Sequence, residues 1–278
     1  MRRALLALAL WAGAAAAQAE ERLISLGGSV TEIVVALGAG HRLVARDTTS
    51  NHPASVLALP DVGYLRALSP EGVLALDPGL ILAEQGAGPP EAVAVLQAAG
   101  VPFVLIPGEP TPAGIAVKIR AVGAALGLQA QAGELAATVE AGLAEAAARA
   151  AAVTAPQRVL FVLALQGGRV MAGGRGTAAE GIIALAGGTN AAGGFDGYRQ
   201  MTDEAVIAAA PDVILMMDRE GDLTLANAEV LAHPALSQTP AAAAGAILRM
   251  DGMLMLGFGP RTPQAARQLH GLLYPAGG

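Results

Sequence analysis

Short apolar runs recur along the chain, at Arg22 to Leu26, Leu80 to Ala83, Phe103 to Ile106, Val159 to Leu163 and Val213 to Met217, and longer stretches of helical character separate them. Runs without polar alternation predict strands buried on both faces. Their alternation with helices predicts an α/β fold with mostly parallel sheets. Between Gln129 and Ala152 the sequence is rich in Ala, lacks Pro and sets Glu145 four residues before Arg149, which predicts one long helix. Pro156 stops it, and a new strand begins at Arg158.

The pattern also repeats. Leu68-Ser-Pro-Glu-Gly-Val-Leu-Ala-Leu-Asp-Pro-Gly-Leu-Ile-Leu82 lies over Met201-Thr-Asp-Glu-Ala-Val-Ile-Ala-Ala-Ala-Pro-Asp-Val-Ile-Leu215, matching Glu71 with Glu204 and Pro78 with Pro211. Arg66 falls beside Arg199, and a looser match sets Glu32-Ile-Val-Val-Ala-Leu-Gly beside Glu180-Gly-Ile-Ile-Ala-Leu-Ala. In each copy Ser69 or Thr202 stands where a helix N-cap belongs, Glu71 or Glu204 follows in the first turn at the positive end of the helix dipole, and Pro ends the helix before the strand. The expected organisation is a first lobe over residues 20–126, a connecting helix over 127–155 and a second lobe over 156–278.

Residues 1–19 fit neither lobe. Met1-Arg2-Arg3, the apolar run Ala4 to Ala17 and the small-x-small site Ala17-Gln18-Ala19 predict a cleavable export signal, with the mature chain starting near Glu20. Cysteine is absent, which in an exported chain removes disulfides, thiolate chemistry and the lipidated cysteine that tethers many exported proteins. The net charge is −6 and no basic run occurs, so nucleic acid and anionic membrane surfaces are poor partners; the apolar run of the leader is too short to span a bilayer, so membrane insertion is not expected.

Five segments together resemble a known family: Leu23-Ile-Ser-Leu-Gly-Gly-Ser-Val-Thr-Glu-Ile33, Val62-Gly-Tyr-Leu-Arg-Ala-Leu-Ser-Pro-Glu-Gly72, Gly174-Arg-Gly-Thr-Ala-Ala179, Gly197-Tyr-Arg199 and Leu256-Gly-Phe-Gly-Pro-Arg261. They resemble the class III substrate-binding proteins of bacterial ABC importers, whose relatives carry haem, siderophores and cobalamin, and most specifically the periplasmic haem-binding branch. The resemblance implies two Rossmann-like lobes joined by one rigid helix, with haem b, as ferric hemin, for cargo. It implies that Tyr64 is the axial ligand of the haem iron and that Arg66 supports it. It sets Arg175, Tyr198 and Arg199 near the ligand. It also implies that Glu71 and Glu204 dock on a permease dimer working with its ATPase subunits, the carrier being a periplasmic monomer and not an enzyme. The chemistry is consistent with this, because phenolate is a hard anionic donor suited to Fe(III), and a cation nearby favours the ionised form. On spacing alone, an ordinary loop tyrosine beside a solvated arginine accounts for the same residues; Arg66 lies on the same side as Tyr64 if the segment is extended.

Gly174-Arg-Gly176-Thr-Ala-Ala179 after Val170-Met171-Ala172, with Asp196 further on, mimics a dinucleotide fingerprint, although its glycines serve equally as a tight strand-to-helix turn. No Gly-x-Ser-x-Gly elbow is present. A ferric siderophore is the alternative cargo, since Arg66, Arg175, Arg199, Arg249 and Arg261 suit acidic groups of either ligand. Four Phe, three Tyr and one Trp, the last in the leader at Trp11, are too few for an aromatic corrinoid cradle. His41, His52, His233 and His270 lack metal-site spacing and match no second-lobe haem ligand, so one haem is the simpler expectation.

Overall fold

The computed structural model describes residues 22–218 and 226–275; the leader read at residues 1–19 lies outside them. The chain divides into two compact units. One takes in residues up to Glu109 together with Ala113–Ala137, the other Pro110–Pro112 and residues from Thr138 onward.

The first unit is built on β1 (Leu23–Leu26), α1 (Gly28–Ala36), β2 (Leu43–Arg46), α2 (Pro70–Leu74), β3 (Leu80–Glu84), α3 (Pro90–Ala98) and β4 (Phe103–Ile106). It also holds α4 (Pro112–Leu126) from Ala113 onward and the start of α5 (Gln129–Ala151). Its four strands are all parallel, in the order β2-β1-β3-β4. The apolar continuity of the strand sequences follows from this, since helices cover both faces of such a sheet. Ile24, Leu26, Ile81 and Ala83 bury one face against Val73 of α2 and Ala92 and Leu96 of α3.

The second unit continues with β5 (Arg158–Gln166), β6 (Arg169–Gly173), α6 (Ala178–Leu185), β7 (Thr189–Asn190), β8 (Tyr198–Gln200), α7 (Asp203–Ala209) and β9 (Val213–Asp218). After it come α8 (Asn227–Ala232), α9 (Pro240–Ala243), β10 (Ile247–Asp251), α10 (Gly252–Leu256) and α11 (Thr262–Leu273). The sheet runs β10-β9-β5-β6-β8, with the short β7 also on β5. β7, β5, β9 and β10 are parallel and reproduce the order of the first sheet. β6 and β8 are an antiparallel addition on the remaining length of the long β5, beside the two residues taken by β7.

The sequence repeat is therefore a structural one. Ile24 pairs with Ile81 in the first sheet as Leu160 pairs with Ile214 in the second. Val73 of α2 and Val206 of α7 are both fully buried, in clusters where Leu68 and Met201 are also equivalent. Ser69 and Thr202 cap these two helices through their hydroxyls, which accept from the backbone N–H groups of Gly72 at 3.4 Å and Ala205 at 3.2 Å. Each helix is followed by a residue with left-handed backbone, Asp77 at φ 48° or Ala210 at φ 40°, immediately before the aligned proline.

One correspondence lies outside the aligned segment. Arg22 precedes β1 and donates to the carbonyls of Leu76 and Asp77, just beyond α2. Arg158, which opens β5, donates from Nε and Nη2 to the carbonyl of Ala209 at the end of α7, at 3.1 and 2.7 Å. A guanidinium at the carbonyl end of a helix satisfies orphan acceptors and complements the dipole. Each repeat thus has a hydroxyl at the start of its helix and an arginine at the end.

Candidate functional site

Tyr64 and Arg66 sit in the loop between the bridge Arg46 to Asp61 and α2. Asp61 organises its first half, accepting from the backbone N–H of Gly63 at 2.8 Å, the Thr48 hydroxyl at 3.2 Å and Arg46 Nη1 at 3.0 Å. Thr48 N–H donates to the Gly63 carbonyl, closing the loop onto the chain after β2. Gly63 has φ 92°, a conformation that side chains with a Cβ adopt only at a cost. The second half is held from another direction. Leu65 and Leu68 are buried in the first core, the Gly88 N–H donates to the Leu65 carbonyl, and the Leu68 N–H donates to the Gly88 carbonyl, both at 2.8 Å.

Between those anchors Ala67 N–H donates to the Tyr64 carbonyl at 2.7 Å, so residues 64–67 form a turn. This differs from an extended Tyr64-Leu65-Arg66, and the reason is the burial of Leu65 with its double tie to Gly88. Tyr64 is 45% exposed and Arg66 is also exposed. The two side chains make no hydrogen bond to each other, and neither has another polar partner among the described residues. The backbone of the loop is thus fixed while the Tyr64 phenol and the Arg66 guanidinium are uncommitted.

In the second unit the predicted residues divide. Tyr198 and Arg199 are successive residues of β8, so they point to opposite faces of the sheet. Tyr198 is 40% exposed and its ring meets Phe161 edge-on, with centroids 6.4 Å apart. Gly173, its partner on β6, leaves the room: a Cβ there would lie 3.2 Å from the Tyr198 ring. Arg199 is exposed. Arg175 is engaged through Nε with Asp196 at 2.8 Å, across an isolated bridge between these same residues. The hydrogen bond from Arg175, and then its charge, hold the Asp196 carboxyl below the ordinary carboxylate range, and Arg199 adds a smaller pull.

The glycine-rich turn after β6 has its own occupant. Thr177 caps α6 by accepting from the Glu180 N–H, and the Glu180 carboxylate accepts from the Gly176 N–H at 2.8 Å. The Glu180 carboxylate, held by the amide just before the cap, thus fills the place where a pyrophosphate would meet the helix. β6 is also antiparallel to both neighbours, unlike the strand of a dinucleotide motif.

Glu71 and Glu204 are exposed in the first turns of α2 and α7. The Glu204 carboxyl is held below its ordinary value, first by its own backbone N–H and then by the Thr202 hydroxyl. Three of the four histidines are tied to backbone groups: His41 to the Gly38 carbonyl, His233 to Gly168 and to the amides of Ala235 and Leu236, and His270 to Ala186. No group of three or more His, Cys, Asp or Glu among the described residues is arranged to hold a metal ion. No helix of the described residues is long and apolar enough to cross a membrane.

Sequence reasoning missed the residues that hold the Tyr64 loop, namely Arg46, Thr48, Asp61 and Gly88. A signal was available in Asp61-Val-Gly63, an Asx-turn pattern that fixes the residue two positions on.

The chain is similar to the periplasmic heme-binding protein RhuT from Roseiflexus sp. RS-1, at 39% identity over 91% of this chain and 97% of that one, with a TM-score of 0.87. It is similar to the periplasmic heme-binding protein BhuT, solved in complex with two hemes, at 39% identity over 91% and 97%, with a TM-score of 0.85. Among curated proteins it matches a vitamin B12-binding protein of Yersinia pestis at 42% identity over 87 residues, so the match spans 31% of this chain and 31% of that protein's length. The family model described as periplasmic binding protein matches residues 23–254, and the parallel sheets, the repeat and the likeness to solved members agree with it: this chain belongs to the periplasmic binding protein family, with the α/β architecture of class III.

Proposed function

We propose that this protein is an exported periplasmic carrier that binds ferric haem and delivers it to an inner-membrane ABC importer. The observation that carries the reading is the Tyr64 loop, in which buried leucines and backbone hydrogen bonds hold a turn whose exposed phenol and guanidinium have no other polar partner. A free phenol ionises near pH 10, so phenolate at neutral pH requires a metal and benefits from a cation beside it. Tyr64 supplies the axial oxygen for Fe(III), and Arg66 turns its permanent charge toward that oxygen. The outer nitrogens of Arg175 suit a haem propionate and Tyr198 offers an aromatic edge to the porphyrin, while Arg199, on the other face of β8, adds positive charge beside the Arg175–Asp196 pair. Likeness over most of the chain to heme-binding RhuT and BhuT supports the same cargo.

In this reading one haem b is carried without covalent chemistry by a monomer. The leader at residues 1–19 directs export. Glu71 and Glu204, at equivalent points of two repeats, dock on a permease dimer served by ATPase subunits; charges at such points orient docking more than they add affinity.

The test is a hemin titration of the purified mature protein followed by visible absorption, with Tyr64→Ala in parallel. Saturable uptake with a tyrosinate-to-iron band that the variant loses is the expected result. No saturable uptake by the native protein overturns the haem reading and moves a ferric siderophore to the front. Uptake unaffected by the variant keeps the cargo and removes Tyr64 as ligand.

A further inference from the structure

Lys118, on α4, is completely buried. Lysine is almost never so unless its charge is paired, and here Nζ donates to the Glu84 carboxylate and to Ser29 Oγ at 2.9 Å, while Ser29 Oγ donates to the same carboxylate oxygen at 3.0 Å. Glu84 is the last residue of β3 and Ser29 lies in the first turn of α1, just after β1. The strand order changes direction between β1 and β3, and open α/β sheets bind ligands beyond the carboxyl ends of their strands at such a switch point. Glu84 is also enclosed on its other side, for a Cβ on Gly27 would lie 2.7 Å from its Oε2.

Directly after Glu84 the chain turns. Gln85 N–H donates to Ile106, Ala87 N–H donates to the Glu84 carbonyl, and Gly88 then makes the two hydrogen bonds that clasp Leu65 and Leu68. The path from the buried ammonium to Tyr64 is therefore short and continuous: Lys118, Glu84, the turn to Gly88, Leu65, Tyr64. An apolar pair at positions 84 and 118 would stabilise the unit at least as well as an ion pair, because burying charge costs several kcal/mol per ion before attraction offsets it. What a buried pair with directed hydrogen bonds adds is a single permitted geometry.

We propose that the Lys118–Glu84 pair, completed by Ser29, positions the Tyr64 loop for iron binding, which makes Lys118 a positioning residue for the cargo. The inference rests on Tyr64 being the haem ligand, but its first consequence is visible without haem. In the ligand-free protein, Lys118→Met raises amide hydrogen exchange at Gly88 and Leu68, whose N–H groups form the clasp, by about tenfold or more. In hemin titrations the same variant binds more weakly by about tenfold or more, because a loosened loop presents Tyr64 in the binding geometry for a smaller fraction of the time, and its tyrosinate-to-iron band is shifted or reduced. Lys118→Arg, which keeps the charge, restores part of both.

Leu236→Ala, a cavity in the core of the second unit, lowers overall stability but leaves local exchange at the clasp and the iron band as they were. If Lys118→Met does not fold, Lys118→Met with Glu84→Gln strands neither charge and gives the same two readouts. Unchanged exchange at Gly88 and Leu68 overturns the proposal, as does faster exchange with native hemin affinity and spectrum. Failure of the native protein to take up hemin removes the function proposed for Tyr64; the exchange result then still decides whether the ion pair holds the loop.

Discussion

Replacing Arg22 or Arg158 by methionine keeps the apolar stem and removes the guanidinium that closes the end of α2 or α7. Arg22 serves two carbonyls, Leu76 and the exposed Asp77, and Arg158 serves the Ala209 carbonyl twice, so each variant leaves one partly buried acceptor without its charged donor. A hydrogen bond to a charged group contributes about 1.5–3 kcal/mol, and partial solvent access and the sharing of one acceptor place both variants near the lower end, at about 2 kcal/mol. For units of this size that corresponds to roughly 6–9 °C in Tm. Calorimetry and urea unfolding provide the assay, because two compact units need not melt in a single transition. The expected pattern is that Arg22→Met lowers the stability of the first unit and Arg158→Met that of the second, by similar amounts. Arg169→Met, at an exposed position, serves as control and stays within about 0.5 kcal/mol of the native protein. A loss below about 0.5 kcal/mol for either clamp, or equal loss in the control, refutes the idea that the two arginines are equivalent parts of a repeated unit.

Asp61→Ala removes three acceptor contacts around Gly63 and weakens hemin binding about tenfold or more, whereas Asp61→Asn keeps the amide and hydroxyl contacts and falls between; titrations of the three proteins rank them. The Asp196 carboxyl has its pKa lowered by Arg175, so this pair contributes above the ordinary carboxylate range and is lost only as pH falls through the depressed value. Carbon-detected NMR titration should find the Asp196 midpoint returning toward the ordinary range in Arg175→Met, and a midpoint that does not move removes Arg175 as its cause.

Much of the frame was legible because strands buried on both faces leave continuous apolar runs. β4 spans Phe103–Ile106 as read, and α5 spans Gln129–Ala151, one residue short of the expected end. The repeat was legible for a similar reason, since Pro78 and Pro211 mark the same helix-to-strand junction. What sequence could not provide was decided by contacts distant along the chain. The turn at Tyr64 depends on Gly88, and Lys118 reads as a surface lysine of a helix until Glu84 and Ser29 close over it. The antiparallel β6 and β8 escaped because Val170-Met171-Ala172 before a glycine-rich turn looks the same whichever way its neighbours run. Tyr198 and Arg199 adjoin in the sequence, and the strand geometry of β8 sends them to opposite faces.

The Tyr64 loop also separates how it is held from what it presents. Every described hydrogen bond that keeps it in place is made by main-chain atoms or by residues other than 64 and 66, and its apolar anchors are Leu65 and Leu68. Changes at positions 64 and 66 can therefore alter the chemistry offered to a ligand without loosening the loop. Such a scaffold is readily evolvable: new ligand chemistry can be explored by exchanging two exposed side chains, at little cost in folding and with α2 and α7 left as they are.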